Sequence, residues 1–331
     1  MKRFLLPTIA ILTATQAEAF CGEMSFMEFL SPERQTEVQA KAFDVINAQG
    51  LFWTATRGED TLYIAGSVHI YTPELDPLID TMVSEVIAPT EVLLTEASAE
   101  DFAKVNQMLA ADPSLILLPD NKTLIDLMDP VAWSALHEVL RDRGIPAFTV
   151  GRLKPFMVAT QLSLMSECIN VQDPATMEGV DHSAFLAAQE LDIPNKSLEA
   201  PTTIFELMDR MPLDDQIATL EIANFHPEIV NATLSTMVNA YLDQDISLLM
   251  VADTIPELLA PYADPDEADR IMAAQNDLLL DQRNHNWIPV IEAETAEFDE
   301  ISVVVGAAHL PGEDGILNLL AENGWSIARI E

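Results

Sequence analysis

β-rich segments lie near both ends of the chain, and this layout most constrains how the chain can fold. Near the N-terminus, the runs LFWTAT (51–56) and TLYIAG (61–66) predict a hairpin, and EVLLT (91–95) predicts a short buried strand. Near the C-terminus, ISVVV (301–305) predicts a central strand and residues 325–330 predict a last strand. Because strands are stable only when paired, we expect one sheet built from both ends of the chain.

The segment between the two β-rich regions is predicted to be helical. From about residue 101 to residue 295, apolar residues recur every three or four positions, and Pro and Gly separate the segments. The predicted fold class is therefore α/β (α+β), with a central mixed sheet and a large helical insertion. Since the insertion interrupts a single sheet, we expect one domain over residues 20–331.

The charge balance excludes some partners. The chain has 16 Lys+Arg and 54 Asp+Glu, which gives a formal net charge of −38. Nucleic acids and anionic lipid surfaces are bound by clustered basic residues, so neither is an expected partner. Yet 49% of the residues are hydrophobic, which is enough for a folded core and excludes a disordered acidic tail.

The first 19 residues have the layout of a secretory signal. A basic start (1–3) precedes a short apolar run (4–14), and Ala17-Glu18-Ala19 fits a cleavage site. We therefore expect export to the periplasm or the medium. No later stretch is long and apolar enough to predict a membrane span.

The two cysteines, Cys21 and Cys168, both follow the predicted cleavage site. In an oxidising compartment an even pair favours one disulfide bond, and this is the interpretation we prefer. Two independent thiols, as in a cytosolic protein, are the alternative.

A short pattern of strand, glycine, two residues and histidine occurs twice. YIAGSVH contains Gly66 and His69, and VVVGAAH contains Gly306 and His309. Glu96 directly follows a third predicted strand. Residues just past the carboxyl ends of strands face the crevice where α/β proteins bind ligands. The pattern therefore predicts two imidazoles and a carboxylate in one crevice.

Two histidines and a glutamate are a ligand set for a divalent transition metal that leaves positions open for water. A strand-end histidine is also common as a hydrogen-bonded structural residue, so the pattern alone leaves both interpretations open. Metal-assisted hydrolysis is the chemistry that the first interpretation predicts.

With these motifs the chain resembles the TraB/GumN family, whose animal relatives include the Tiki membrane proteases. The resemblance extends from about Cys21 to the C-terminus. Its further segments are LKPF (153–156), EGVD (178–181), SLE (197–199), QRNHNW (282–287) and GAAHLPGEDG (306–315). In the last segment, Gly312 is expected at a tight turn.

The resemblance implies a metal-dependent protease that uses Mn or Co, and Zn would suit the same donors. It implies His69, Glu96 and His309 as metal ligands. Asp181 and Glu199 are implied as recurring polar positions, either as further ligands or as residues that orient a histidine. Helix capping or a salt bridge is the alternative for both residues.

The same resemblance points to Arg283 and Asn284 as site residues beside Glu96. Arg283 is expected to hold a substrate carboxylate or an oxyanion, and Asn284 to donate a hydrogen bond or to cap. We thus predict an exported metal-dependent hydrolase, peptidase-like, that acts on a peptide or a small molecule. Wider relatives include esterase-like hydrolases and a haem-binding group, so a non-catalytic envelope protein that binds haem or another small ligand is the alternative. The sequence leaves the substrate, the metal and the oligomeric state open.

Overall fold

The structure is a computed structural model that describes residues 24–164, 179–224, 227–252, 255 and 264–330. The predicted signal segment lies outside the described residues, as do Cys21 and Cys168, so the disulfide bond stays a prediction.

The described residues form one mixed sheet with the strand order β4-β3-β5-β2-β1-β6. Its strands are β1 (Phe52–Arg57), β2 (Asp60–Ser67), β3 (Val92–Thr95), β4 (Asn195–Ser197), β5 (Glu300–Gly306) and β6 (Ser326–Arg329). Strands β4, β3, β5 and β2 are parallel, whereas β1 is antiparallel to both β2 and β6. Strand β5 lies in the centre, between two strands from the N-terminal part. The predicted fold class, a mixed sheet built from both ends of the chain, is confirmed.

Helices surround this sheet and fill most of the insertion. They are α1 (Pro32–Phe43), α2 (Asp76–Thr81), α3 (Ala99–Ala111), α4 (Leu124–Leu127), α5 (Pro130–Asp142), α6 (Ala147–Val150), α7 (Pro155–Leu164), α8 (Gly179–Glu190), α9 (Thr203–Met208), α10 (Leu213–Asn224), α11 (Pro227–Leu242), α12 (Ser247–Met250), α13 (Pro265–Asn276), α14 (Gln282–Glu294) and α15 (Ile316–Glu322). Several begin at a side-chain cap that accepts backbone N–H groups, such as Ser98 before α3 and Asp129 before α5.

The insertion also contributes one short strand, which the periodicity did not predict. Strand β4 extends the sheet beyond β3 and pairs with it in parallel. Its sequence, Asn-Lys-Ser, has no β-branched or aromatic residue, so nothing in its local pattern indicates a strand. The side chain of Asn195 donates hydrogen bonds to the Leu93 carbonyl and to Thr95, and this pairing holds the strand in place.

Apolar side chains cover both faces of the sheet. One cluster packs α14 and α15 against one face, through residues such as Trp287, Ile291 and Leu320. A second cluster packs α8 and α11 against the other face, through Ala184 and Tyr241 among others. The strands that carry the predicted site residues are therefore buried on both sides, as parallel strands usually are.

Within the described part of the chain, no helix has the length and apolar content needed to cross a bilayer.

Candidate active site

Three parallel strands end side by side at one edge of the sheet. Strand β2 pairs with β5 so that Ser67 lies opposite Gly306, and β5 also pairs with β3, which ends one residue before Glu96. His69 follows β2 by two residues, and His309 closes the 3₁₀ turn that follows β5. The register of the sheet thus places the three residues of the predicted constellation at the same edge.

The ends of β2 and β5 approach each other closely. A Cβ atom on Gly66 would lie 2.9 Å from the Cα atom of Ala307, so a larger residue does not fit there. The hydroxyl of buried Tyr241 donates a hydrogen bond of 2.7 Å to the Gly66 carbonyl and fixes this strand end from the other side. Beyond His309, Gly312 has a φ of +93° and donates its N–H to the carbonyl of Ile46.

Glu96 is held in its ionised form. Its Oε1 atom accepts the backbone N–H of Gly306 at 3.0 Å, and its Oε2 atom accepts Nη2 of Arg283 at 2.5 Å. Burial favours the neutral acid, but the charge of Arg283, the charges that His309 and His69 carry when protonated, and the Gly306 N–H outweigh it and lower the pKa of Glu96 to about 2. Glu96 is therefore a carboxylate at neutral pH.

His309 is buried, and its ring orientation is fixed by Asn284. The His309 Nδ1 atom lies 2.7 Å from Asn284 Oδ1. The amide nitrogen of Asn284 donates to the backbone carbonyls of Asp314 and His309, so Oδ1 must be the acceptor and the imidazole hydrogen lies on Nδ1. The ring also packs against Trp287, with 4.5 Å between ring centroids.

This arrangement leaves the lone pair of His309 on Nε2, which faces Arg283 and Glu96. Burial lowers the pKa of His309 to about 4, and the nearby positive charges of Arg283 and His69 add to the effect, against an opposing contribution from Glu96. The Nε2 atom lies 3.3 Å from Nη1 of Arg283 and 3.8 Å from Oε1 of Glu96. Because a guanidinium can only donate, this contact also requires a neutral ring with its lone pair on Nε2.

His69 differs from His309 in exposure and in partner. Its side chain is 73% exposed, and Nδ1 lies 2.9 Å from Oδ1 of Asp181. The hydrogen bond to Asp181 raises the pKa of His69 to about 9, with further contributions from the charges of Asp181 and Glu96 against desolvation and the charge of Arg283. The His69 Nε2 atom remains for another partner.

The first turn of α8 brings Asp181 to His69. Gly179 has a φ of +41°, and a Cβ atom there would lie 2.8 Å from the His69 Cα atom and 2.7 Å from Asp181 Oδ1. The next residue, Val180, donates its N–H to the Val68 carbonyl. A glycine is thus required where α8 meets the segment after β2.

Arg283 is 7% exposed, and all five of its N–H groups have acceptors. Nε and one N–H of Nη2 bond to Glu199, and the other N–H of Nη2 bonds to Glu96. The two N–H groups of Nη1 are directed at the Leu279 carbonyl and at His309 Nε2. In this arrangement Arg283 has no free donor for a substrate carboxylate or an oxyanion, which is the role that the resemblance implied.

Asp181 and Glu199 occupy different places in the site. Asp181 contacts His69, whereas both oxygens of Glu199 accept hydrogen bonds, from Arg283 and from Nε1 of Trp287 at 2.9 Å. In the described structure, Asp181 orients a histidine and Glu199 forms the salt bridge to Arg283. A ligand role for either residue would require these bonds to change.

The donor set fits a divalent cation in part. Among the described residues, no three or more His, Cys, Asp or Glu side chains are gathered closely enough to cage an ion. The donors themselves suit Mn, Co or Zn, because imidazole nitrogen and carboxylate oxygen are ligands of these metals. The 3.8 Å between His309 Nε2 and Glu96 Oε1 is within the reach of two bonds of about 2.1 Å to a shared ion. The residues fit a cation with an incomplete cage.

Trp287 and Asp314 contribute to the site although no role was predicted for them. Trp287 follows Arg283 by four positions on α14, a spacing that places both on one helix face and could have indicated their contact. Asp314 acts through its backbone carbonyl, which no side-chain pattern identifies.

A polar cavity of about 560 Å³ lies away from these residues, near the edge strand β6. Its lining includes Gln49, Asn239, Asp243, Gln244 and Arg329, and none of the predicted site residues is among its lining residues.

Comparison with known proteins identifies the family of the chain. A search of curated proteins gave no match. The model of the TraB/PrgY/gumN family matches residues 51–329, a range that contains the site residues described above but begins later than the resemblance suggested. The match covers most of the chain, and we conclude that the chain belongs to the TraB/PrgY/gumN family.

Proposed function

We propose that this chain is a divalent-metal-dependent hydrolase that acts on a peptide or another small carbonyl substrate. Export is part of the proposal, because the first 19 residues have the layout of a secretory signal. The crevice at the carboxyl edge of β2, β3 and β5 is the proposed place of reaction.

One observation carries the proposal: the Nδ1 atoms of both histidines are held by side-chain oxygens. Asp181 holds His69 and Asn284 holds His309, at 2.9 and 2.7 Å. Metal-binding histidines are commonly fixed by such a bond from the other ring nitrogen. The Nε2 atoms are then the nitrogens that face a cation, beside a carboxylate that is already ionised. His309 offers its lone pair directly, whereas His69, with a pKa of about 9, must release its Nε2 proton as the cation binds.

Glu96 suits a ligand role better than a general-base role. A carboxyl group with a pKa of about 2 takes up a proton weakly near neutral pH, whereas an effective base has a pKa near the working pH. Arg283 and the Gly306 N–H keep Glu96 charged and in place. A bound divalent ion would supply Lewis acidity and a lowered pKa for its water.

The test combines metal analysis with cleavage. The purified full chain is loaded with Mn²⁺, Co²⁺ or Zn²⁺, dialysed and analysed for bound metal, and then incubated with a mixed peptide library and with ester substrates. His309→Ala, His69→Ala and Glu96→Gln are each expected to lower both bound metal and cleavage at least tenfold, because each removes a donor. His137→Ala, which changes an exposed histidine on α5, is the matched control and is expected to leave both unchanged.

The proposal fails if the chain retains no more Mn²⁺, Co²⁺ or Zn²⁺ than a variant that carries all three substitutions, or if cleavage is unaffected by His309→Ala. A haem absorption band that depends on His69 or His309, with no cleavage, would instead favour the non-catalytic binding protein.

A further inference from the structure

The guanidinium of Arg283 already serves as a cation within the candidate site. It bonds to Glu96 and Glu199 and lies 3.3 Å from the lone pair of His309 Nε2. With His309 neutral, the two carboxylates and one guanidinium carry a formal charge of −2 + 1 = −1. Arg283 therefore satisfies the same acceptors that a divalent cation would use.

These contacts cannot coexist fully with a bound metal. The Nε2 atom of His309 has one lone pair, which either accepts an N–H from Arg283 or binds a metal. The Oε2 atom of Glu96 is likewise engaged by Nη2 of Arg283. For a cation to bind His309 and Glu96, the terminal nitrogens of Arg283 must withdraw.

The remaining contacts of Arg283 would hold its side chain after its terminal nitrogens withdraw from His309 and Glu96. Its Nε atom bonds to both oxygens of Glu199, and its guanidinium carbon lies 4.6 Å from the centre of the Trp287 ring. Trp287 in turn donates to Glu199. Glu199 and Trp287 thus anchor the side chain independently of His309 and Glu96.

We propose that Arg283 is the resident counter-cation of this site, and that a divalent ion binds by displacing its terminal nitrogens from His309 and Glu96. This inference rests on the proposed function. It assigns Arg283 as a positioning residue that partly neutralises the two carboxylates before loading, and Glu199 as the residue that retains Arg283 afterwards. Competition with Arg283 therefore sets the affinity for metal.

The effect of charge gives opposite predictions for two variants. Arg283→Gln leaves the two carboxylates without their counter-cation, so a divalent ion then neutralises them fully, and we expect Mn²⁺ to bind at least tenfold more tightly. Glu199→Gln leaves Arg283 paired with Glu96 alone, so we expect Mn²⁺ to bind at least fivefold more weakly. Arg283→Lys keeps the positive charge and should lack the gain seen with Arg283→Gln.

The measurement is isothermal titration of metal-free full-length protein with Mn²⁺. Arg270→Gln is the matched control, because Arg270 also bridges two carboxylates, Asp215 and Glu267, outside the candidate site. It should bind Mn²⁺ as the unchanged chain does. Circular dichroism of each variant shows whether it is folded.

A second measurement needs no variant. The guanidinium N–H signals of Arg283 are followed by nitrogen-15 NMR while diamagnetic Zn²⁺ is added. The terminal N–H signals should shift on binding, while the Nε–H signal keeps its slow exchange because its bond to Glu199 persists.

The outcomes separate the two proposals. Tighter binding by Arg283→Gln together with shifted terminal N–H signals supports the inference. The inference is wrong if the unchanged chain binds metal but Arg283→Gln shows no gain in affinity for Mn²⁺, or if the terminal N–H signals do not shift. Either result leaves the proposed function standing. If neither the unchanged chain nor Arg283→Gln binds Mn²⁺ or Zn²⁺, both proposals are wrong.

Discussion

At the scale of single residues, the two histidines of the repeated motif have pKa values shifted in opposite directions. The hydrogen bond to Asp181 raises the pKa of His69 to about 9, whereas burial lowers the pKa of His309 to about 4. The sequence motif is the same at both places, and the difference arises from Asp181 on α8 for His69 and from burial of the ring for His309. A strand-end motif can therefore indicate where a histidine lies, but its protonation depends on elements far away in the chain.

The lowered pKa of His309 predicts a loss of stability in mild acid. In the unfolded chain this histidine takes up a proton near pH 6.5, whereas the native ring takes it up only near pH 4. The stabilisation from the neutral, buried ring is therefore complete above pH 6.5 and is lost as the pH falls toward 4. We expect this to cost up to about 3 kcal/mol of the free energy of unfolding. Urea unfolding with chelator present, at several pH values, measures it. His309→Gln should remove this part of the pH dependence, while His137→Gln should retain it; equal pH dependence in all three proteins would contradict the prediction.

The hydrogen bonds of Arg283 could not be predicted from the sequence around it. Its presence near Glu96 was inferred from the family-like segment QRNHNW, but the use of all five donors depends on how α14 lies against the ends of β3 and β5. That placement results from packing of Trp287, Ile288 and Ile291 into the core. Such non-local packing has no local sequence pattern.

At the scale of elements, the apolar strands and the hairpin of β1 with β2 were predictable from the local pattern, whereas the pairing of β5 with β2 and β3 was not. Apolar runs identify β2, β3 and β5, and in β5 the run is β-branched, as expected for strands buried on both faces. The polar three-residue strand β4 exists only because β3 offers it an edge. The position of β5 between β3 and β2 depends on contacts between residues some two hundred positions apart, which local periodicity does not encode.

The bond between α11 and the end of β2 yields a prediction at this scale. Tyr241→Phe removes the 2.7 Å hydrogen bond to the Gly66 carbonyl in a fully buried setting, so we expect a loss of about 1–3 kcal/mol in the free energy of unfolding. Tyr71→Phe, which removes an exposed bond to Asp76, is the matched control and should cost about 0.5 kcal/mol or less. Urea denaturation of both variants provides the comparison. Equal losses would show that the Tyr241 bond does not fix this strand end.

At the scale of the whole molecule, the formal charge of −38 acts against the folded state. Folding brings the carboxylates closer together, so their mutual repulsion is larger in the native state than in the unfolded chain. The sequence alone establishes this imbalance, since it requires only a count of ionisable residues.

Screening of this repulsion predicts that salt stabilises the protein. Raising the ionic strength from about 20 mM to about 500 mM shortens the screening length severalfold, and we expect the free energy of unfolding to rise by about 1 kcal/mol or more. Chemical denaturation by urea at each salt concentration, with chelator present, measures the change. Sodium and potassium chloride should act alike if screening is the cause. A stability that falls with added salt would contradict the prediction.

The central position of β5 has a consequence for how the protein is made. The ribosome releases the chain from its N-terminus, so β2 and β3 emerge long before residues 300–306 can enter between them. His309 emerges later still. A nascent chain can therefore neither close its sheet nor bring Glu96 and His309 together, so the candidate site forms only after the last stretch of translation.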